Sequence, residues 1–274
     1  MTKDLNIAWR FIATAMAFML FSFGGLIFPL LATPLIWLSS RDPKVRQIRA
    51  RKLVHLLFRG FIHFLSAMGV LSWRAEDIQR IARPNTVILA NHPTLLDVVF
   101  LVAFAPNADC IVKGRLMAQP AMKGFVKLTG YITNNHQGAE LVSKAQSSLN
   151  KGSSLVIFPE GTRTRPGGNL LFQRGAANIL VRTNASVALV AINCNPLTLS
   201  KQHKWYHIPR DKFHLEFRVL DEFNLQPYRE LPATIAARHL TRDLQLIFRK
   251  ELSIYDDGII NSGNQKAHHQ HTGA

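Results

Sequence analysis

From Phe11 to Leu38 the chain runs 28 positions without an Asp, Glu, Lys or Arg. About 20 apolar residues suffice for a helix to cross the hydrocarbon core of a bilayer, so this run predicts a membrane segment. It is too long for an ordinary signal-peptide core, and no convincing small-x-small cleavage site follows it. Gly24-Gly25 divides the run into two short halves, and Pro29 and Pro34 interrupt the second. Two readings follow, one tilted span or a re-entrant helical hairpin. The hairpin is favoured, because neither half spans comfortably alone and both flanks are basic.

Beyond the run the chain turns cationic, with Arg41, Lys44, Arg46, Arg49, Arg51, Lys52 and Arg59 against the single acid Asp42. Val45, Ile48, Leu53, Leu56, Leu57, Phe61, Phe64 and Leu65 recur at near-helical spacing. A basic amphipathic helix beside an apolar anchor predicts an element lying on anionic headgroups; a solvated charged helix is the plainer alternative. By the positive-inside rule, the chain that follows sits on the cytoplasmic side of the cell inner membrane. The whole chain carries a formal charge of +16 and a pI near 10.4, which calls for an anionic partner. Nucleic acid is set aside, since no helix-turn-helix, RNP-like or zinc signature is present and aromatics do not interleave with the basic residues. Membrane lipid accounts for the charge more economically. The two cysteines, Cys110 and Cys194, lie in apolar runs and read as buried free thiols of a reducing compartment, with pairing as the alternative.

After Trp73, short apolar runs alternate with helical stretches. Strands are expected at 86–90, 109–112, 154–158, 187–192 and 214–220, and helices at 94–104, 122–129, 139–149, 175–183 and 233–252. Such alternation predicts an α/β fold, a mostly parallel sheet flanked by helices, with its site on the loops at strand ends. The chain divides accordingly into an anchor (1–40), a surface helix (41–72), a catalytic domain (73–255) and a disordered tail (256–274).

Two strand-end segments carry chemistry. Asn91-His92-Pro93-Thr94-Leu95-Leu96-Asp97 places an imidazole and a carboxylate five residues apart after a buried strand. Pro93 holds His92 away from helical conformation, Thr94 can cap the next helix, and Asp97 can fold back from its first turn. A histidine oriented by a carboxylate is the minimal means of taking a proton from a hydroxyl at neutral pH. Alternatively, Asp97 is only a capping acid and His92 a loop residue. Unpaired N–H groups at Asn91–Pro93 are a candidate oxyanion hole. The second segment is Phe158-Pro159-Glu160-Gly161-Thr162-Arg163, in which Gly161 permits a tight turn and Arg163 offers a fork suited to phosphate. No G-x-S-x-G elbow is present, which argues against a serine acyl-enzyme. No metal-ligand cluster is evident.

An NH-x4-D block followed by FPEGTR, in that order and separation, resembles the glycerolipid acyltransferase family of the lysophosphatidic-acid type, over roughly residues 85 to 195. The resemblance implies that His92 is the general base and Asp97 its orienter, and that Glu160, Gly161, Thr162 and Arg163 bind a glycerol-phosphate acceptor. Lys113, in a stretch with Gly114, Arg115, Pro120, Gly124 and Gly130 that resembles the family's intermediate block, is carried over as a further substrate-binding residue. The implied donor is an acyl-carrier-protein or coenzyme A thioester, with no metal or redox cofactor. Two departures stand out. Where the family shows a phosphate-holding arginine this chain has Asn134-Asn135, and alanines replace prolines in the run 187–192. The acceptor is therefore open, either a lysophospholipid such as 1-acylglycerol-3-phosphate or another lipid, and a non-catalytic lipid-binding role is the reading from a different class.

Overall fold

A computed structural model describes residues 3–134, 138–164 and 169–268, with side chains from Asp4 to Ser253 except at positions 116, 120 and 121. The expected apolar segment forms one uninterrupted helix, α1 (Lys3–Ser39), through both Gly24-Gly25 and the two prolines. The hairpin favoured from sequence is thus corrected. A helical glycine costs only about 1 kcal/mol, and an apolar surround penalises the unpaired backbone groups that a break would expose.

α1 is long and apolar enough to cross a membrane, yet only 17% of its most apolar window is buried. Arg10, Ala13, Thr14, Ala17, Ala32 and Ile36 make its buried stripe, while Leu20, Phe23, Leu30, Leu31, Leu35 and Leu38 face outward. Its first turns are tied down. The Trp9 indole donates to the Met68 carbonyl, Arg10 donates to the carbonyls of Pro209 and Arg210, and Phe11 and Phe18 pack on Trp205. Farther on, Phe28 meets Phe125.

α2 (Pro43–Ala67) starts where its sequence says it should, with Asp42 capping the Lys44 N–H and Pro43 in the first turn. One member of its basic face is reassigned. Arg51 points inward and pairs with Asp109 at 2.7 Å, the two side chains being 3% and 1% exposed. Asp109 also accepts from Ser148, and Arg51 donates to Ser153 and to the Thr129 carbonyl. A charge so deep is tolerated only with its partners in place.

The remaining elements, in order, are β1 (Leu71–Glu76), β2 (Thr86–Ala90), α3 (Asp97–Phe104), β3 (Ala108–Val112), α4 (Pro120–Thr129), β4 (Ile132–Thr133), α5 (Ala139–Asn150), β5 (Ser154–Ile157), α6 (Arg174–Arg182), β6 (Ser186–Asn195), β7 (Phe213–Val219), α7 (Gln226–Arg229) and α8 (Ala233–His268). The helix α8 runs well into the stretch expected to be a structureless tail. That stretch holds no proline, and extending a formed helix needs no new nucleus. Its last residues, 269–274, lie outside the described ones.

The seven strands lie in the order β1-β7-β6-β2-β5-β3-β4. From β6 to β4 every pairing is parallel; β7 runs antiparallel to β6, and β1 follows β7. Alternation along β2 divides the core. Ile88 and Ala90 join the cluster beneath α1 to α4, whereas Val87 and Leu89 join the one beneath α5, α6 and α8. The helices after β2 and β3 therefore cover one face, and those after β4 and β5 the other. β2 and β5 are neighbours, with Leu89 beside Ile157, and their outgoing chains diverge to opposite faces. Open α/β sheets leave a crevice at such a switch point, beyond the carboxyl ends of the strands.

Candidate active site

Both chemistry-bearing segments leave the sheet at that crevice. Asn91, one residue past β2, uses its amide as an extra rung of the ladder: Nδ2 donates to the Ile192 carbonyl at 2.8 Å and Oδ1 accepts the Ile192 N–H at 2.7 Å. Only a short side chain with both donor and acceptor can do this. The rung extends the strand pairing and then releases the chain into the turn at Pro93.

Asp97 is wholly buried, and its Oδ2 lies 2.8 Å from His92 Nδ1, with the imidazole side chain 17% exposed. The same oxygen accepts the Thr94 N–H at 2.8 Å, and Oδ1 accepts the Thr94 hydroxyl. A carboxylate receiving three donors can only accept from the ring, so Nδ1 carries the hydrogen and Nε2 is left with its lone pair. The Phe158 ring stacks on the imidazole with centroids 4.0 Å apart, fixing the plane of the base. Helix α3 begins at Asp97 itself, so Thr94 is a turn residue binding Asp97 rather than the helix cap expected from sequence.

The FPEGTR segment clamps the histidine by its backbone. Glu160, 9% exposed, accepts the His92 N–H at 2.9 Å on Oε1 and the Thr164 hydroxyl at 2.6 Å on Oε2. The Thr164 N–H in turn donates to the His92 carbonyl at 2.8 Å. Burial pushes the Glu160 carboxyl above its ordinary value, partly offset by the Thr164 and His92 donors. Gly161 turns the loop at φ +66°, in the left-handed region that glycine occupies freely. These contacts bear on two sequence expectations. The His92 N–H goes to Glu160, Pro93 has none and the Thr94 N–H goes to Asp97, so none of these three residues offers a free oxyanion donor. Glu160, expected to bind the acceptor, engages each of its carboxylate oxygens with a donor of the protein, the His92 N–H and the Thr164 hydroxyl.

Arg163 donates through Nη1 to the carbonyls of Leu199 (2.8 Å) and Ser200 (3.0 Å), and the Leu199 carbonyl also accepts the Leu95 N–H. A third loop is thereby bound to both segments. Thr162 lies half-buried on the same turn. Lys113, exposed at the end of β3, has its ammonium pKa lowered by partial burial and by the nearby cations Arg115 and Lys201. The Asn134 N–H donates to the Val112 carbonyl at 2.7 Å, next to Lys113 in the chain; Asn135 and Arg165 are outside the described residues. Cys110 and Cys194 are buried free thiols, and burial pushes Cys194 up to about 12, far from reactive. Sequence reasoning gave no role to the Asn91 amide, Phe158, Thr164 or Leu199. Asn91 alone was findable, as a strand-end amide within the motif.

Fold and site together define an α/β domain built around a carboxylate-oriented histidine at a topological switch point. Residues 73–194 match the acyltransferase family model. The 1-acyl-sn-glycerol-3-phosphate acyltransferase of Borreliella burgdorferi is 26% identical over 134 residues, 47% of this chain and 53% of that protein. The protein of that name from Helicobacter pylori is 29% identical over 184 residues, covering 65% of this chain and 76% of its own length. In fold, the chain is similar to the crystal structure of the 1-acyl-sn-glycerophosphate acyltransferase PlsC of Thermotoga maritima, with a TM-score of 0.65 over 90% of this chain and 98% of the other at 17% identity. Residues 73–194 thus carry an acyltransferase-type domain, and the relatives and fold neighbour that the chain resembles bear glycerolipid acyltransferase names. The chain spans about half the length of the Borreliella relative.

Proposed function

We propose that this protein transfers a fatty acyl group from an acyl-carrier-protein or coenzyme A thioester to the hydroxyl of an anionic lysophospholipid at a membrane surface. The observation that carries this reading is the His92–Asp97 pair, with Nδ1 held 2.8 Å from the carboxylate, which leaves the Nε2 lone pair to act as base. Nε2 takes the acceptor hydroxyl's proton as the oxygen attacks the thioester carbonyl. The tetrahedral intermediate then collapses, the C–S bond breaks, and the departing thiolate recovers the proton from the imidazolium. Asp97 stabilises that imidazolium, and the Glu160–Thr164 clamp keeps the ring within reach of both substrates.

Lys113, Arg115, Lys201 and Arg163 support an anionic acceptor. Lys113, within electrostatic reach of Arg115 and Lys201, follows Val112, whose carbonyl holds the Asn134 N–H, so where the family's usual arginine is lacking a phosphate monoester such as that of 1-acylglycerol-3-phosphate is still matched in charge. The outward apolar face of α1 and the exposed Leu56 and Leu57 of α2 support seating in a bilayer, with the basic start of α2 on its headgroups. The cytoplasmic side of the inner membrane fits the positive-inside rule.

The deciding experiment incubates purified protein with labelled acyl-carrier protein or acyl-CoA and a panel of lysolipids, and identifies products by mass. Acylated lysophosphatidic acid from the wild type, and none from His92→Ala with membrane association intact, is the expected result. Thioester left unconsumed with every acceptor would favour a non-catalytic lipid-binding role instead.

A further inference from the structure

A second concave site lies away from the crevice, where the last turns of α1, the first turn of α2, α4 and the residue after α5 come together. This cavity of about 810 Å³ shares no residue with the His92 pair, Lys113 or the Glu160–Thr164 clamp. Its titratable lining is Lys44, Arg46, Lys127 and Lys151 against one acid, Asp42, whose carboxylate already caps α2. Lys44, Lys127 and Lys151 are exposed and make no ion pair among the described residues. The Arg46 guanidinium lies over the Trp37 ring, 4.2 Å from its centroid, and donates through Nη2 to the Arg41 carbonyl, while its Nε is buried with no partner among the described residues.

The rest of the wall is apolar. Pro29, Ile36, Trp37 and Leu128 line it, and it is continuous with Leu30, Leu31, Leu35 and Leu38 on the outward face of α1. Three uncommitted lysines next to an open aliphatic face fit a ligand that is anionic at one end and hydrocarbon at the other. A free anion would make no use of the apolar wall. An acidic protein or nucleic acid would have no reason to meet lysines in a concavity bordered by leucines.

We propose that this cavity is a second lipid site, holding the headgroup phosphate of an anionic glycerophospholipid against Lys44, Lys127 and Lys151 with its first methylenes along Pro29, Ile36 and Leu128. The site acts on neither the thioester nor the acceptor, so it stands whether or not the acyl-transfer reading does. Its occupant fastens the α1–α2 turn to α4 and fixes the depth at which the domain rides.

The test titrates full-length protein in neutral detergent with dihexanoyl phosphatidylglycerol, dihexanoyl phosphatidylcholine and inorganic phosphate, read by native mass spectrometry. Lys127→Gln/Lys151→Gln is compared with Arg238→Gln/Lys250→Gln, which removes the same charge from α8 on the opposite face. Each lysine near a lipid phosphate is worth about fivefold in affinity, so the first pair should lose about 25-fold for phosphatidylglycerol. The α8 pair and the binding of phosphatidylcholine serve as the unchanged and the weak reference. Equal losses in the two double variants would reduce the effect to net charge and overturn the site. So would equal binding of the two phospholipids, or displacement of phosphatidylglycerol by phosphate at matched concentration, which would leave a free-anion site only. Identical melting temperatures for both double variants guard against misfolding as the cause.

Discussion

The Oε1 atom of Glu160 accepts the backbone N–H of His92 at 2.9 Å across 68 residues of chain. That bond, with the Thr164 N–H to His92 carbonyl bond beside it, makes the second strand-end loop the seat on which the base rests. Glu160→Gln keeps an acceptor for His92, and the Thr164 hydroxyl can rotate to accept from the new amide. Activity should stay within about tenfold of wild type, whereas Glu160→Ala, which frees the turn, should lower kcat about 100-fold. Stability adds a sign. Burial raises the Glu160 carboxyl, so the native state keeps its proton to higher pH than the unfolded chain does. The resulting stabilisation is full below the ordinary carboxyl value and fades as pH rises through the raised one. The Tm of Glu160→Gln relative to wild type should therefore climb between mildly acidic and neutral pH; a pH-independent difference would contradict the buried-carboxyl account.

Asp97→Asn tests orientation apart from packing. An asparagine oxygen in the place of Oδ2 can still accept from the ring and from the Thr94 N–H, so the fold should survive. What disappears is the charge that stabilises the imidazolium. We expect kcat to fall about 10²–10⁴-fold with KM little changed. Steady-state kinetics beside a melting curve decide it, and near-normal turnover would remove Asp97 from the mechanism.

Arg51→Met leaves Asp109 buried opposite a thioether. Loss of one partner of a buried pair destabilises by about 3–5 kcal/mol. Asp109 is already raised by burial, and Arg51 is the main influence holding it down. Without Arg51 the native state binds that proton still more strongly, so the deficit should be largest at neutral pH and smallest near pH 4. Urea unfolding across that range reads both size and slope, and Arg51→Met/Asp109→Leu should recover much of the loss.

Lys113→Gln removes charge from the edge of the crevice without touching the base. With a phosphate-bearing lysolipid, KM should rise about tenfold or more while kcat holds, since a charge-assisted contact contributes about 1.5–3 kcal/mol. With an uncharged glycerolipid acceptor the same variant should behave like wild type. Equal effects on the two acceptors would mean that Lys113 does not read the phosphate.

Much of this architecture was legible because the central strands are continuous apolar runs bounded by turn residues. β2 agrees with its expected bounds, and β3, β5, β6 and β7 agree to within a few residues. Edge strands were harder. β1 mixes Arg74 and Glu76 into a half-exposed run, and β4 is two residues long, so neither shows the periodicity of a buried strand. The pairing of His92 with Asp97 was readable since it is local. What Glu160 and Thr164 do was not, because a hydrogen bond to a distant backbone leaves no trace in spacing. Arg51 misled for a related reason: charge on an amphipathic helix reads as surface, and only the distant Asp109 explains its inward turn. The break at Gly24-Gly25 failed to form because local propensity is weak against a long apolar helix with all of its neighbours in place.

β2 and β5 send their chains to opposite faces of the sheet, so the two halves of the site are joined only by non-covalent contacts, the backbone hydrogen bonds at His92 and its stack on Phe158. Neither half holds its shape as an isolated peptide, and the base is in register only while the whole sheet is closed. The amide protons of His92 and Thr164 are then sentinels of global opening. They should exchange with solvent deuterium together, at the rate of the central strands rather than that of ordinary surface turns.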